Sequence, residues 1–329
     1  MKRIGVVGVG HLGQHHARKF QGIAGACLTG IYDRNQERAL EIAQKLNTTA
    51  FSTYAELLEA CDAVDIAATT TAHYELAKPA LLAGKHIFLE KPITSELAQA
   101  EELLVLAEER DLIIQVGHIE RFNPVILKIE PEIGEPMFIE SHRLSTFQPR
   151  GTDVPVVLDL MIHDIDLILS FVQSPVTEIR ASGVGILTPS IDIANARLEF
   201  ANGAIANVTS SRVSMKQERK LRFFQRNAYI TMDFQAKQVR VLKRAANIMQ
   251  LLPQIMMGST DIKPEQLVDM QQFDVNDTPK DALSLELESF VDCLVNRKKP
   301  VVDGVAGTRA LDIALKIINQ IQTKNQKLT

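Results

Sequence analysis

The chain has 329 residues and a formal net charge of −4, with hydrophobic residues making up 46% of it. That length holds two domains with full cores, and the near-balanced charge gives no general attraction to nucleic acid or to an anionic membrane. No basic, apolar, small-residue leader opens the chain, and no apolar run reaches the ~18–20 residues of a membrane span.

Cys27, Cys61 and Cys293 are scattered and odd in number, which fits reduced thiols and gives neither a metal-ligand spacing nor a disulfide framework. The expectation is a cytoplasmic protein with no nucleic-acid or membrane partner and no metal.

Ile4, Val6, Val7 and Val9 predict a short buried parallel strand. It breaks at Gly8-Val9-Gly10-His11-Leu12-Gly13, a complete G-x-G-x-x-G, and Leu12–Phe20 predicts a helix. In such a loop the first glycine makes the tight turn, the second lets backbone approach a pyrophosphate, and the third lets helix lie close on strand. The helix N-terminus then holds the phosphates. Ala26–Tyr32 predicts a second strand, which ends at Asp33-Arg34-Asn35. Asp33 stands 20 residues after Gly13, the spacing of a carboxylate that binds the adenosine ribose hydroxyls. Asp33 or Asn35 could instead cap the helix predicted over 36–46. An acid at this place favours NAD over NADP, although the Arg34 guanidinium could accept a 2′-phosphate.

The alternation continues. Thr53 caps a short helix over 54–60, and Val64–Ala68 is a strand that ends in Thr69-Thr70-Thr71-Ala72-His73. A helix over 74–83 stops at Gly84, Lys85–Leu89 is a strand that ends in Glu90-Lys91-Pro92, a helix starts at Ser95, and Leu112–Val116 is a further strand. This is the grammar of an α/β Rossmann domain, a doubly wound parallel sheet over residues 1–120. Ligands bind at the carboxyl ends of such strands. The candidate cofactor contacts are therefore Gly8, Gly10, His11, Leu12, Gly13, Asp33, Arg34, Thr69, Thr70, His73, Glu90 and Lys91.

Near residue 120 the pattern changes. Gly117–Pro124 is a turn-rich link that carries His118 and Arg121. One helix follows at 156–172, among short segments at 137–145, 176–186, 191–200, 204–212, 217–225, 228–233 and 237–242. Asn202-Gly203 marks a hairpin between two of them. Residues 244–278 read as a long excursion, and helices at 282–296 and 307–322 close the chain. The expectation is an α+β domain over 121–329 with a large open antiparallel sheet, whose closing helices can pack back on the first domain. A sheet face of that size needs a cover, which predicts a homodimer or homotetramer packed sheet on sheet.

Two groups of residues reach beyond the cofactor loop. A lysine at the Glu90-Lys91-Pro92 strand end would lie near a nicotinamide, against the alternative of a solvated lysine before a helix-entry proline. Asp159 and His163 are four apart on the helix at 156–172 and share one face with Asp166. Acids that stabilise a helix N-terminus would account for Asp159 but not for His163.

Together these residues resemble the glucose-fructose oxidoreductase, inositol dehydrogenase and rhizopine catabolism (Gfo/Idh/MocA) family over nearly the whole chain. The carriers are the Gly8–Gly13 loop, the block AHYELAKPALLAGKHIFLEKP at 72–92, D-x-x-x-H at 159–163, and LELESFVDCLVNRKKPVVDGVAGTRALDIALKI at 285–317. The resemblance implies a nicotinamide-dependent sugar or polyol oxidoreductase, with the family's catalytic lysine falling on Lys91, its aspartate on Asp159 and its histidine on His163. Thr69-Thr70 departs from the Thr-Pro of many members, so that cofactor contact differs in detail. Residues 116–124, 158–166 and 218–225 resemble a subgroup that oxidises the 3-hydroxyl of UDP-N-acetylglucosamine, whose ketone is then transaminated to a 2,3-diamino sugar for lipid A. A nucleotide sugar needs cations for its diphosphate, and Arg121, Arg143 and Arg150 are the candidates, with His118 beside them. The alternatives are an inositol, free-sugar or dihydrodiol dehydrogenase, or a nicotinamide-binding regulator that has lost the reaction.

Overall fold

The computed structural model describes residues 1–148, 154–257, 263, 266–276 and 279–327. From the N-terminus the elements are β1 (Lys2–Val7), α1 (Gly13–Phe20), β2 (Ala26–Tyr32), α2 (Gln36–Leu46), β3 (Thr49–Ala50), α3 (Tyr54–Ala60), β4 (Ala63–Ile66), α4 (Thr70–Leu82), β5 (His86–Glu90), α5 (Leu97–Glu109) and β6 (Ile114–Gly117). The six strands pair in parallel in the order β3-β2-β1-β4-β5-β6. Every residue of β4 is buried, as expected of a strand covered on both faces. The helix ends follow their sequence signals. Thr53 and Glu56 form a reciprocal capping box on α3. The Asn35 side chain accepts from Arg38 N at 3.1 Å and caps α2, so the capping alternative falls to Asn35 and leaves Asp33 for the glycine loop. The two-residue β3 is too short to show periodicity, and the sequence did not reveal it.

A 3-10 turn at Ile119–Phe122 leads to α6 (Pro124–Ile129), β7 (Phe138–Leu144), a π turn at Val157–Met161, α7 (Ile162–Phe171), β8 (Val176–Val184), β9 (Ile193–Phe200), β10 (Ile205–Ser211), β11 (Glu218–Gln225), β12 (Ala228–Asp233), β13 (Gln238–Arg244), α8 (Ile248–Met256) and β14 (Val268–Asp274). The strands form one eight-stranded sheet, β14-β13-β12-β11-β7-β10-β9-β8. Its pairs are antiparallel except β7 with β10, so the large sheet is mostly antiparallel with one parallel pair. Alternation is regular: Ile139, Ser141 and Arg143 point to the buried face of β7, and Phe138, Glu140, His142 and Leu144 to the other. The excursion at 244–278 contains α8 and the edge strand β14. Residues 268–272 of β14 are exposed one after another, which is why no alternation marks them.

The chain closes with α9 (Ala282–Asn296) and α10 (Gly304–Gln326). It divides into two compact units, Met1–Asn123 with Pro279–Asp312, and Pro124–Thr278 with Ile313–Thr329. Residues 279–312 thus return to the first unit. Leu287, Phe290, Val291 and Leu294 of α9 join Phe20 of α1 and Phe88 of β5 in one buried cluster of the first unit. The Lys19 ammonium holds Asp281, the N-cap of α9, at 2.7 Å. Among the described residues no helix is long and apolar enough to cross a membrane.

Candidate active site

The glycine loop is built for close approach. Gly8 has φ +82°, and a Cβ on Gly13 would stand 1.7 Å from the Gly8 carbonyl oxygen, so neither position admits a side chain. A Cβ on Gly10 would meet nothing within 4 Å, which leaves open space beside the loop. Gly10, His11 and Leu12 are exposed, and no side chain caps the α1 N-terminus. The Asp33 carboxylate accepts from Val9 N at 2.8 Å and from Asn35 N at 2.8 Å. It is thereby fixed at the end of β2 beside the loop. Arg34 is exposed at its side, and Arg38 donates to Val9 O at 3.1 Å. These features fit a dinucleotide with free ribose hydroxyls, held by Gly8–Gly13 and Asp33.

Thr69 is exposed as the N-cap of α4, with its hydroxyl 3.4 Å from that of Thr71, and Thr70 opens the helix. His73 is buried. Its Nδ1 lies 2.8 Å from Pro92 O and its Nε2 3.2 Å from Ala68 O, so the ring braces the loops after β4 and β5 from behind. Burial holds its pKa below the ordinary value. Glu90 ends β5, and half-buried Lys91 follows, joined to Pro92 by a cis peptide bond. His118 is buried after β6, and Arg121 is half-buried in the 3-10 turn.

In the second unit Asp159 lies inside the π turn and His163 is the second residue of α7; both are half-buried. Regular α-helix was expected here. The extra residue of a π turn is a recurrent feature of functional helices. The segment before it is anchored by Arg212, which donates to Val154 O at 2.6 Å and to Ile191 O at 3.0 Å and lies 3.1 Å from Asp192. The Arg143 guanidinium is buried and grips Asp164 of α7 with two bonds of 2.9 Å. That fork is a strut beneath the helix. The same pair explains why Asp164 stands beside His163. Arg150 lies outside the described residues. Sequence reasoning also missed His16 and Asp65, whose ring and carboxylate meet at 2.9 Å in the first unit; an aspartate in the otherwise apolar Ala63–Ile66 strand was the available signal.

The Gfo/Idh/MocA profile described as "Oxidoreductase family, NAD-binding Rossmann fold" matches residues 2–118, and the "GFO/IDH/MocA C-terminal domain" profile matches residues 130–231. UDP-N-acetylglucosamine 3-dehydrogenase of Acidithiobacillus ferrooxidans is 36% identical over 316 residues, 96% of each chain. The chain belongs to the Gfo/Idh/MocA family. A solved structure of the A. ferrooxidans enzyme superimposes with a TM-score of 0.87 at 35% identity over 98% of both chains. The scyllo-inositol 2-dehydrogenase (NAD(+)) of Bacillus subtilis is 25% identical over 97% of this chain and 94% of its own. As a Gfo/Idh/MocA member the protein is an oxidoreductase that uses NAD, bound by the Rossmann unit. An Agrobacterium radiobacter oxidoreductase of the same fold, solved with NAD+, has a TM-score of 0.83 at 17% identity.

Proposed function

We propose that this protein oxidises the 3-hydroxyl of UDP-N-acetylglucosamine to the 3-keto nucleotide sugar. The observation that carries the reading is the full-length similarity to UDP-N-acetylglucosamine 3-dehydrogenase, and the family resemblance assigns the catalytic roles to Lys91, Asp159 and His163. NAD supplies the hydride acceptor for the carbinol carbon. The rest is the work of side chains. His163 takes the hydroxyl proton, since an imidazole titrates near neutrality. Lys91 donates a hydrogen bond to the same oxygen and stabilises its growing negative charge. Asp159 orients either Lys91 or His163 and balances the positive charge. Arg121 and Arg150 serve the diphosphate. The ketone produced is a substrate for transamination to a 2,3-diamino sugar of the lipid A type, in the cytoplasm. The protein acts as a homo-oligomer that covers the sheet face carrying Glu140, Lys220 and Arg222.

The test is the absorbance of reduced nicotinamide when purified protein meets NAD and UDP-N-acetylglucosamine, with an aminotransferase added to remove the ketone. NADP and myo-inositol are run in parallel. Oxidation of myo-inositol alone would move the protein to the polyol class of its B. subtilis relative, and NAD binding with no turnover would make it a regulator. His163→Ala is expected to lower hydride transfer about 10²–10⁴-fold and Lys91→Ala far less; the reverse order assigns the base to Lys91.

A further inference from the structure

Behind the Lys91 strand end the first unit buries a line of three ionisable groups. His16 of α1 and Asp65 of β4 are wholly buried, with Nδ1 2.9 Å from the Asp65 carboxylate. On its other side His16 Nε2 lies 3.4 Å from Glu90 Oε1. The second oxygen of Glu90 accepts the Lys91 backbone N–H at 3.1 Å. Space is kept for this carboxylate on β6, where Gly117 pairs with Glu90 and a Cβ would stand 3.1 Å from both its oxygens. Phe88 meets the His16 ring edge-on at 5.7 Å. Among the described residues no group of these side chains is arranged to hold a metal. A buried ion pair is a poor route to stability, because apolar residues of similar volume at such places are often neutral or stabilising. A core that nevertheless carries this pair, and aims its free nitrogen at the residue before Lys91, invites a reading beyond packing.

We propose that the Asp65–His16–Glu90 relay positions Lys91: the His16 ring steadies the Glu90 carboxylate, which accepts the Lys91 backbone N–H. The proposal rests on the reading of Lys91 as the group at the reacting oxygen. The charges agree with the geometry. Burial opposes charge on the His16 ring, but Asp65 and Glu90 outweigh it and hold the imidazole pKa well above its ordinary value. Burial likewise pushes the Glu90 carboxyl up, and His16 and Lys91 bring it below the usual carboxylate range. An anion therefore stays beside Lys91 at neutral pH. His73 of α4, also within electrostatic reach of Glu90, is kept neutral by its own burial.

His16→Leu alone would strand a buried Asp65 and could prevent folding. The His16→Leu/Asp65→Val double variant removes the pair and leaves no such charge. Two measurements decide. The first needs no substrate: the pH midpoint at which Lys91 reacts with an acylating reagent, read by peptide mass. In the double variant the lost charges of His16 and Asp65 offset each other at Lys91. What remains is a Glu90 carboxylate no longer held in place, free to turn away from Lys91. The Lys91 midpoint is expected to fall by roughly one unit, a tenfold gain in reactivity at fixed pH, in the same direction as in Glu90→Gln. The second is steady-state kinetics, with kcat expected about tenfold lower and KM for NAD changed less than about threefold. A Lys91 midpoint equal to the parent's overturns the relay, whatever the rates do. A shifted midpoint in a protein that oxidises none of the substrates supports the relay and rejects the reading of the reaction instead.

Discussion

Asp33 ties the end of β2 to the glycine loop. It is bonded to Val9 N and Asn35 N, and a charged hydrogen bond contributes about 1.5–3 kcal/mol. Asp33→Ser is expected to raise KM for NAD by roughly tenfold, and to improve NADP relative to NAD because Arg34 remains exposed beside it. The ratio of kcat/KM for the two cofactors measures this, and an unchanged ratio would refute it. Asp33 was legible because strand, loop and acid follow one another at a spacing set by the fold. Arg143 was not, because an arginine reads as exposed until its strand's alternation is followed. Ile139 points inward, so Ser141 and Arg143 must do so too, and Asp164 is the partner that makes burial tolerable. His16 and Asp65 were hidden for the same reason: a polar side chain in an apolar element declares its partner only through tertiary contact.

Among elements, those with strong local signals were read within a few residues. α2 and α9 fall at their predicted limits, and Thr53 caps α3 as its sequence foretold. The π turn at Val157–Met161 was not legible, since an extra residue in a helix leaves the apolar pattern intact. The junction of β5 with the loop before β6 carries its own pH dependence. His86 Nδ1 accepts the Ile113 N–H at 3.0 Å, and burial, then the charge of Arg297, lowers its pKa to about 4. The unfolded chain takes up this proton near pH ~6.5, above the folded value. Stability from this site is thus complete above that pH and is lost as pH falls toward 4, by up to about 2–3 kcal/mol. His86→Asn keeps an acceptor for Ile113 and does not titrate. Its urea midpoint is expected to fall less than the parent's between pH 7 and pH 5, and an equal fall would assign the acid sensitivity elsewhere.

For the whole molecule the deciding feature is where the first unit ends. Its core is closed by α9, whose Leu287, Phe290, Val291 and Leu294 are buried against Phe20, Ile23 and Phe88. Each such side chain contributes about 1.5–3 kcal/mol of burial, so losing four removes as much as the net stability of a typical domain, about 5–15 kcal/mol. A fragment ending at residue 123 is expected to aggregate or to bind a hydrophobic dye strongly. Fusing residues 279–312 to it should restore a cooperative thermal transition. A well-behaved 1–123 fragment would contradict this account. The α9 helix was legible in the sequence and its return to the first unit only as one possibility, because amphipathicity reports a buried face and not what buries it.

That return also has a consequence in time. At roughly 5–20 residues per second, on the order of 10–40 s separate the emergence of β6 from that of α9 on the ribosome. Through that interval the aromatic surface around Phe20 and Phe88 has been made and awaits its cover. The part of this protein synthesised first is thus among the last to be finished.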